Sequence, residues 1–383
     1  MLPFEFATAN RIIFGPGKLE ELCKQVDGKS KRLLFVCGHS SDAIPRVRKI
    51  LSGLNISVTE FMVHGEPTVD SVRAGINAAL TCDMVVGVGG GSVLDAGKAI
   101  AALVTNPGDV LDYLEVVGRG HSLINAPIPY IAIPTTAGTG SEVTRNAVIE
   151  APEQNVKVSL RSPSMLPRLA LVDPELTYSL PAAITASSGL DALTQLIEPF
   201  VSIKANPLTD AICREGIHSA ARSLRRAYEN GNDHEARQGM SLASLFGGLA
   251  LANAALGAAH GFAGPLGGML HAPHGALCAR LLPYVMDANI KALKTRQPEH
   301  ASLQRYDEIA KILTGDDTAN AQDGVAWTTQ LVNDLKIPAL SQYGMSHEQF
   351  PEAVEKTMKA SSFKGNPIAL NANELSEILE KAL

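Results

Sequence analysis

The sequence predicts an α/β N-terminal domain with a mostly parallel sheet, followed by an all-α C-terminal domain. The chain has 383 residues, which is more than one hydrophobic core usually organises, so two domains are expected. Short β-branched runs alternate with helical stretches through its first half. After Pro181 the strand pattern fades, and helical segments rich in Ala and Leu continue to the C-terminus. We therefore predict domains at residues 1–181 and 182–383.

Five strands are predicted in the first domain, each a short run of apolar and β-branched residues. They are residues 31–37, 57–63, 84–88, 130–134 and 169–172. Helical patterns lie between them, at residues 70–81 and 93–104 among others. Because strands that alternate with helices usually pair in parallel, these elements indicate a largely parallel sheet covered by helices.

The composition excludes several kinds of partner. The formal net charge of −6 argues against the broad basic surface that nucleic acid requires. Five cysteines lie far apart with no CxxC pair, a pattern typical of reduced thiols in the cytoplasm. The first residues lack the apolar run of a signal peptide. We therefore expect a cytoplasmic protein with no nucleic-acid partner.

One apolar stretch, residues 241–270, is nearly long enough to span a membrane. It is rich in Gly and Ala rather than in Leu and Ile, and it contains Asn253 and His260. Small residues let helices approach closely inside a bundle, which favours a buried helix over a transmembrane helix. No membrane association is predicted.

A glycine-rich turn in the first domain is suited to a nucleotide. A buried strand runs through Gly89, Gly90, Gly91 and Ser92 into a helix. Glycines at such a turn let the backbone approach a pyrophosphate, and the free amides of the helix N-terminus favour its charge. The pattern is GGGS rather than GxGxxG, so a tight structural turn is the alternative. Asp95, in the following helix, belongs either to this site or to a solvated face.

A second loop, IPTTAGTGSEVT at residues 133–144, also follows a predicted strand. It contains four threonines, one serine and two glycines. Hydroxyls and amides at this density can bind phosphate, ribose or a carboxamide. A polar surface loop is the alternative, and the apolar strand that leads directly into the segment argues against it.

A third group of residues suggests a metal site. Asp191 and Gln195 lie four residues apart on a predicted helix and share one face, with Glu198 farther along. Three histidines lie close together downstream, at His260, His271 and His274. A carboxylate with two or three imidazoles can bind a divalent metal ion. Taken alone, the three histidines fit structural positions in the core or at the surface as well as they fit a metal site.

Together these segments resemble the iron-dependent (group III) alcohol dehydrogenases, in the superfamily that includes glycerol dehydrogenases and dehydroquinate synthases. The similar segments are, in order, FGPGKLEEL, GGGSVLDAGK, PTTAGTGSEVT, LVDPELT, GLDALTQLIE and HAPHG, and they cover at least residues 11–280. The resemblance implies a Rossmann-like nucleotide-binding domain and a helical domain that binds metal and substrate. It implies hydride transfer between NAD(P) and an alcohol, aldehyde or ketone, with iron or zinc, in a homodimer or larger oligomer.

The resemblance also implies the role of individual residues. The metal ligands would be at Asp191, Gln195, His260 and His274, of which Asp191, His260 and His274 would form the catalytic centre. Lys157 would lie near the ribose, and Leu176 on the adenine side. The full set implied to contact the cofactor is Gly38, Ser40, Gly89, Gly90, Gly91, Ser92, Asp95, Thr135, Thr136, Thr139, Ser141, Val143, Lys157 and Leu176.

Three positions depart from the family pattern. Gln195 stands where the second metal ligand is a histidine, and its neutral amide is a poor donor to transition metals; His271 is a candidate to replace the lost imidazole. Gly264 stands where many members have a histidine near the nicotinamide, which removes a possible proton relay. Gly38 stands where many NAD-preferring members have an aspartate, so the sequence favours acceptance of NADP.

Two other functions are compatible with the same fold. One is a reductase of unsaturated keto acids, similar to maleylacetate reductase, or a lyase of the dehydroquinate synthase type. The other is a nucleotide-binding protein with a degenerate catalytic site. Retention of Asp191, His260 and His274 argues against a degenerate site.

Overall fold

The computed structural model describes residues 3–39, 41–154 and 156–383, which form two compact units. The first unit is Ala7–Leu180, and the second is Pro181–Leu383 with residues 3–6. The predicted fold class is confirmed, because the first unit is built on a parallel sheet and the second is helical.

The first unit contains a six-stranded parallel sheet in the order β1-β8-β5-β4-β2-β3, and a separate antiparallel pair, β6-β7. Its strands are β1 (Ile12–Phe14), β2 (Arg32–Cys37), β3 (Ser57–Met62), β4 (Met84–Gly89), β5 (Tyr130–Pro134), β6 (Asn146–Ala151), β7 (Val156–Arg161) and β8 (Leu169–Val172). Its helices are α1 (Glu21–Val26), α2 (Ala43–Ser52), α3 (Val69–Ala79), α4 (Gly91–Leu103) and α5 (Val110–Tyr113).

Both faces of the sheet are buried, which explains why its strands read as continuous apolar runs. Successive side chains of β2 point to opposite faces, so Leu33 and Phe35 join one apolar core while Leu34 and Val36 join the other. The first core includes Val47 of α2, and the second includes Val72 of α3 and residues of α4.

Two features of this unit differ from the prediction. Strand β1, which pairs with β8, was not predicted, because its three residues are too few to show the alternation of a strand. The β6-β7 hairpin was also not predicted, although side chains of β6 alternate between buried and half-buried positions. The five predicted strands are present as β2, β3, β4, β5 and β8.

The second unit is helical. Its helices are α6 (Ala182–Val201), α7 (Pro207–Glu229), α8 (His234–Ala254), α9 (Ala258–Leu270), α10 (His274–Arg296), α11 (Ala301–Thr314), α12 (Ala321–Asp334), α13 (Phe350–Lys359) and α14 (Ala372–Ala382). Helices α6, α7 and α8 pack against one another, and α10 packs against both α6 and α9.

The apolar stretch at residues 241–270 forms parts of two helices rather than the single helix predicted. Helices α8 and α9 are separated by a short break and bend by 99°. The break includes Ala255, whose φ of 60° is unusual for a residue with a side chain. Among the described residues, no single helix meets the length and hydropathy of a membrane span, whereas the bent α8–α9 pair does so by length and composition.

Candidate active site

The carboxyl edge of the parallel sheet contains a topological switch point. From β2 the chain adds β3 on one side and then β4 on the other side of β2. Nucleotides bind open α/β sheets outside the carboxyl ends of the strands at such a point. The register pairs Cys37 with Val88, so Gly38 and the turn that begins at Gly89 lie side by side at this edge.

The glycine turn is in contact with the threonine-rich loop. Strand β4 ends at Gly89, and α4 begins at Gly91. A Cβ atom on Gly91 would lie 2.7 Å from Thr139 Cγ2, and one on Gly90 would lie 3.3 Å from Thr136 Cγ2. The two segments that the sequence singled out therefore form one surface, and glycine at position 91 is required by the close approach of the loop.

Buried polar side chains of α4 anchor this loop from below. Lys98 Nζ donates hydrogen bonds to Ser141 O at 2.7 Å, Ser141 Oγ at 3.0 Å and Thr144 Oγ1 at 2.9 Å. Asp95 accepts hydrogen bonds from Ser141 Oγ and, at 2.9 Å, from Val148 N. Burial lowers the pKa of Lys98 and raises that of Asp95. Asp95 therefore faces the loop rather than solvent.

The other residues implied to contact a cofactor are distributed around the same edge. Thr135 N donates to Gly89 O at 2.9 Å, which ties the start of the loop to the end of β4. Val143 is buried beneath the loop, and Leu176 is buried in the apolar core on one face of the sheet. Ser40 lies outside the described residues.

Lys157 is linked to the start of α4 by the carboxylate of Glu66. Its Nζ lies 3.6 Å from Glu66 Oε1, and Glu66 Oε2 accepts a hydrogen bond from Ser92 Oγ at 3.3 Å. Glu66 was not predicted, because it lies in a loop after β3 with no motif around it. The contact brings the β6-β7 hairpin to the glycine turn.

The second unit contains a separate buried cluster. Helix α6 carries Asp191, Gln195 and Glu198, and all three are at most 4% exposed. A glycine lets a neighbouring helix approach α6 here: a Cβ atom on Gly275 of α10 would lie 2.7 Å from Ser187 O. The end of α10 that carries His274 is therefore held directly against the first half of α6.

Four side chains of this unit bring potential metal ligands together. One ligand atom each of Asp191, His260, His274 and Cys278 lies within 4.8 Å of all the others. His260 Nε2 is 3.4 Å from Asp191 Oδ1, and His274 Nε2 is 3.6 Å from Cys278 Sγ. The sequence predicted the first three residues. It identified Cys278 only as one of five scattered thiols.

Three polar atoms of the cluster are buried without a hydrogen-bond partner among the described residues. They are Asp191 Oδ1, Gln195 Oε1 and His260 Nε2. A buried polar atom without a partner costs about 1–3 kcal/mol, so native proteins rarely leave several together. Asp191 Oδ1 and His260 Nε2 lie 3.4 Å apart, and lone pairs that converge in this way fit a bound cation, so the residues present are suited to hold one.

Glu198 sets the orientation of His260. Its carboxylate accepts hydrogen bonds from Gly257 N at 3.0 Å, Ala259 N at 2.7 Å and His260 Nδ1 at 2.7 Å. With Nδ1 donating to Glu198, the lone pair of the ring is on Nε2, the atom that faces Asp191. Sequence reasoning assigned no role to Glu198, although its place on the same helix as Asp191 and Gln195 was a signal.

The cluster is electrostatically negative. Burial opposes a charged imidazole, yet Cys278 and the Asp191 carboxylate raise the pKa of His274 to about 9. Burial likewise opposes an ionised Asp191, yet the two histidines hold its pKa below the usual range. A proton bound by a histidine thus balances negative charge that a metal cation would otherwise neutralise.

Residues 9–174 match the profile of iron-containing alcohol dehydrogenase, and residues 185–383 match that of the Fe-containing alcohol dehydrogenase family, C-terminal. Alcohol dehydrogenase 4 of Saccharomyces cerevisiae (strain YJM789) is 36% identical over 378 residues, which cover 96% of each chain. The crystal structure of a 1,3-propanediol oxidoreductase has a TM-score of 0.92 at 34% identity and covers 100% of both chains.

The chain belongs to the iron-containing alcohol dehydrogenase family. This confirms the resemblance seen in the sequence, and it makes the chain an oxidoreductase of the alcohol dehydrogenase class. A further solved relative is sulfoacetaldehyde reductase from Bifidobacterium kashiwanohense in complex with NAD⁺, with a TM-score of 0.87 at 27% identity over 100% of this chain and 99% of that one.

One departure from the iron-containing alcohol dehydrogenase pattern, Gly264, lies in α9, and His271, the candidate to replace the lost imidazole, ends that helix. His271 is exposed at the end of this helix and is not one of the four clustered ligands. Gly264 lies one turn after His260, and a Cβ atom there would have no described neighbour within 4 Å. The space that a histidine at position 264 would enter is therefore open.

Another departure, Gln195, retains contact with the cluster. Its Nε2 donates to Asp191 Oδ2 at 3.3 Å, while its Oε1 is one of the unpartnered atoms. The amide therefore fixes one carboxylate oxygen of Asp191 and leaves the other free.

Proposed function

We propose that this chain catalyses reversible, NAD(P)-dependent hydride transfer between an alcohol and the corresponding aldehyde or ketone, assisted by a divalent metal ion. The observation that carries the proposal is the convergence of unpartnered Asp191 Oδ1 and His260 Nε2 in a buried cluster, in a member of this family. A degenerate site would have no need to keep such costly atoms together.

The nucleotide is proposed to bind at the carboxyl edge of the parallel sheet. The turn at Gly89–Gly91 offers close backbone approach, and the amides of Gly91 and Ser92 at the start of α4 favour the pyrophosphate. The Thr135–Val143 loop, anchored through Lys98, supplies hydroxyls and amides beside that turn. NAD(P) performs the redox step, and these residues hold and orient it.

The metal ion is proposed to be held by Asp191, His260 and His274. Such an ion supplies Lewis acidity towards the substrate oxygen. Glu198 keeps the His260 lone pair directed into the site, and Gln195 orients Asp191. Because these side chains are buried, their charges act with less screening than they would in water.

NADP is proposed to be accepted at least as well as NAD. Gly38 follows β2 at the switch point, where a carboxylate would repel a 2′-phosphate. Beside it, His39 Nε2 is hydrogen-bonded to His64 Nδ1, and both imidazoles are exposed. Two imidazoles next to a position without a carboxylate are compatible with an additional phosphate.

The decisive experiment measures turnover of the purified protein with a panel of alcohols and aldehydes and both cofactors, alongside its metal content. We expect NAD(P)-linked turnover that Asp191→Ala and His260→Ala abolish together with metal binding. His271→Asn is the matched control: it changes an exposed imidazole nearby, and asparagine tolerates the left-handed backbone at that position. Metal and turnover unchanged in His260→Ala would refute the proposed site.

We also propose a cytoplasmic location and a homodimer or larger oligomer. All five cysteines are unpaired, as expected for a reducing compartment. The oligomeric state rests on the family resemblance. Light scattering of the purified chain tests it, and a monomer at all concentrations would refute it.

A further inference from the structure

We infer that Cys278 is a metal ligand of this site, which replaces the imidazole missing at Gln195 and makes the centre selective for zinc over iron. The inference rests on the proposed metal-assisted function and specifies its ion. Its support is geometric and chemical.

Two donor separations in the cluster match those of a tetrahedral zinc site, which would expand to five ligands when the substrate oxygen binds. Zinc bonds of about 2.0–2.1 Å to nitrogen and about 2.3 Å to sulfur, at the tetrahedral angle, separate the two donors by about 3.6 Å. His274 Nε2 and Cys278 Sγ are 3.6 Å apart. The same calculation for a nitrogen and a carboxylate oxygen gives about 3.4 Å. His260 Nε2 and Asp191 Oδ1 are 3.4 Å apart.

The position of Cys278 on α10 explains how it reaches the ion. His274 is the first residue of α10 and Cys278 follows one turn later, so both side chains lie on one face of the helix. The position mirrors Gln195, which follows Asp191 by one turn on α6. A donor lost from one helix is thus matched by a donor on the other.

The alternative is a thiol that only hydrogen-bonds to His274. That arrangement would leave Asp191 Oδ1 and His260 Nε2 without partners, whereas a four-coordinate ion satisfies all of these atoms at once. A thiolate is also a soft ligand, which suits zinc better than ferrous iron.

Cobalt substitution tests the inference without relying on turnover. The full chain is stripped of metal with a chelator and reloaded with Co²⁺ or Zn²⁺. The wild type should bind one equivalent of Co²⁺ and show a near-ultraviolet sulfur-to-cobalt charge-transfer band. Cys278→Ser should lose the band and bind Zn²⁺ about 100-fold more weakly or worse. Cys213→Ser is the matched control, since it removes another fully buried thiol of the helical unit outside the cluster.

A compensating double variant distinguishes loss of a metal ligand from loss of folding. Gln195→His with Cys278→Ala restores a third imidazole and should recover most of the Zn²⁺ affinity without the charge-transfer band. Its preference for Zn²⁺ over Fe²⁺ should be lower than that of the wild type. If Cys278→Ser does not fold, zinc X-ray absorption of the wild type decides: one sulfur at about 2.3 Å supports the inference, and a shell of nitrogen and oxygen alone overturns it.

The outcomes also distinguish this inference from the proposed function. Turnover without a thiolate band in the metal-loaded wild type, or a band that persists in Cys278→Ser, refutes the ligand assignment alone. A band without turnover of any alcohol or aldehyde refutes the proposed reaction alone.

Discussion

Replacement of Glu198 by glutamine should weaken both the helical unit and its metal site. The carboxylate accepts three hydrogen bonds, from Gly257 N, Ala259 N and His260 Nδ1. A glutamine can place its carbonyl oxygen towards Ala259 N, but its amide group then faces the other two donors. Each buried donor left without an acceptor costs about 1–3 kcal/mol. Loss of a carboxylate at the start of α9 adds a further fraction of this cost.

The free energy of unfolding of Glu198→Gln should therefore fall by about 3 kcal/mol after local relaxation. Metal affinity should fall as well, because no carboxylate then holds the proton of His260 on Nδ1. Loss of such an orienting partner typically weakens metal binding by about 10–100-fold. Both quantities are accessible, the first from urea denaturation of metal-free protein and the second from competition with a chromophoric zinc chelator.

Glu235→Gln provides the matched control for this experiment. Its carboxylate is 84% exposed and pairs with Arg226 at the surface of the same unit, so the change should cost less than about 1 kcal/mol. The reasoning about Glu198 would be refuted by a variant whose unfolding free energy and zinc affinity match those of this control.

Three further predictions concern the first unit. Gly90→Val should weaken NAD(P)H binding at least tenfold in a fluorescence titration, because its side chain would crowd Thr136 and block the pyrophosphate; unchanged affinity in folded protein would contradict this. Gly38→Asp should shift the ratio of kcat/KM towards NADH by charge repulsion, and a wild type that uses only NADH would remove the basis for it. Burial raises the pKa of Glu142 to about 7, so the folded state holds a proton that the unfolded state loses near pH 4.5. Stability should therefore fall by up to about 3 kcal/mol between pH 4.5 and 7, and Glu142→Gln should abolish that slope in urea denaturation.

Much of the nucleotide site could be predicted because its residues are close in the sequence. The turn at Gly89–Gly91 and the loop at residues 133–144 each follow a strand, and parallel strands end at the same edge of a sheet. What the sequence could not reveal is how the two segments meet. The buried Lys98 that joins them looks like an ordinary residue of a solvated helix face until its contacts are known.

The metal cluster was predictable only in part. Asp191, His260 and His274 were found through their motifs, and the structure brings them together; their role as metal ligands stays a prediction. Glu198 and Cys278 were not assigned: Glu198 ends the GLDALTQLIE motif without a ligand role, and Cys278 lies beyond HAPHG. Their burial and their contacts with His260 and His274 identify them, and both properties depend on the packing of three helices rather than on local sequence.

Gln195 and Cys278 together determine the donor set of the candidate metal site. Judged alone, Gln195 is a lost ligand, and a site with a weaker donor set should bind any divalent ion less tightly. If Cys278 is a ligand as proposed, the centre keeps four donors and exchanges a neutral imidazole for an anionic sulfur. The amide that remains at position 195 hydrogen-bonds the outer oxygen of Asp191, so it supports the ligand beside it. Restoring the histidine alone would then add a fifth donor to a completed tetrahedral shell. Gln195→His should tighten zinc binding much more when Cys278 is absent than when it is present, and equal gains in both backgrounds would mean that the thiol never binds the ion.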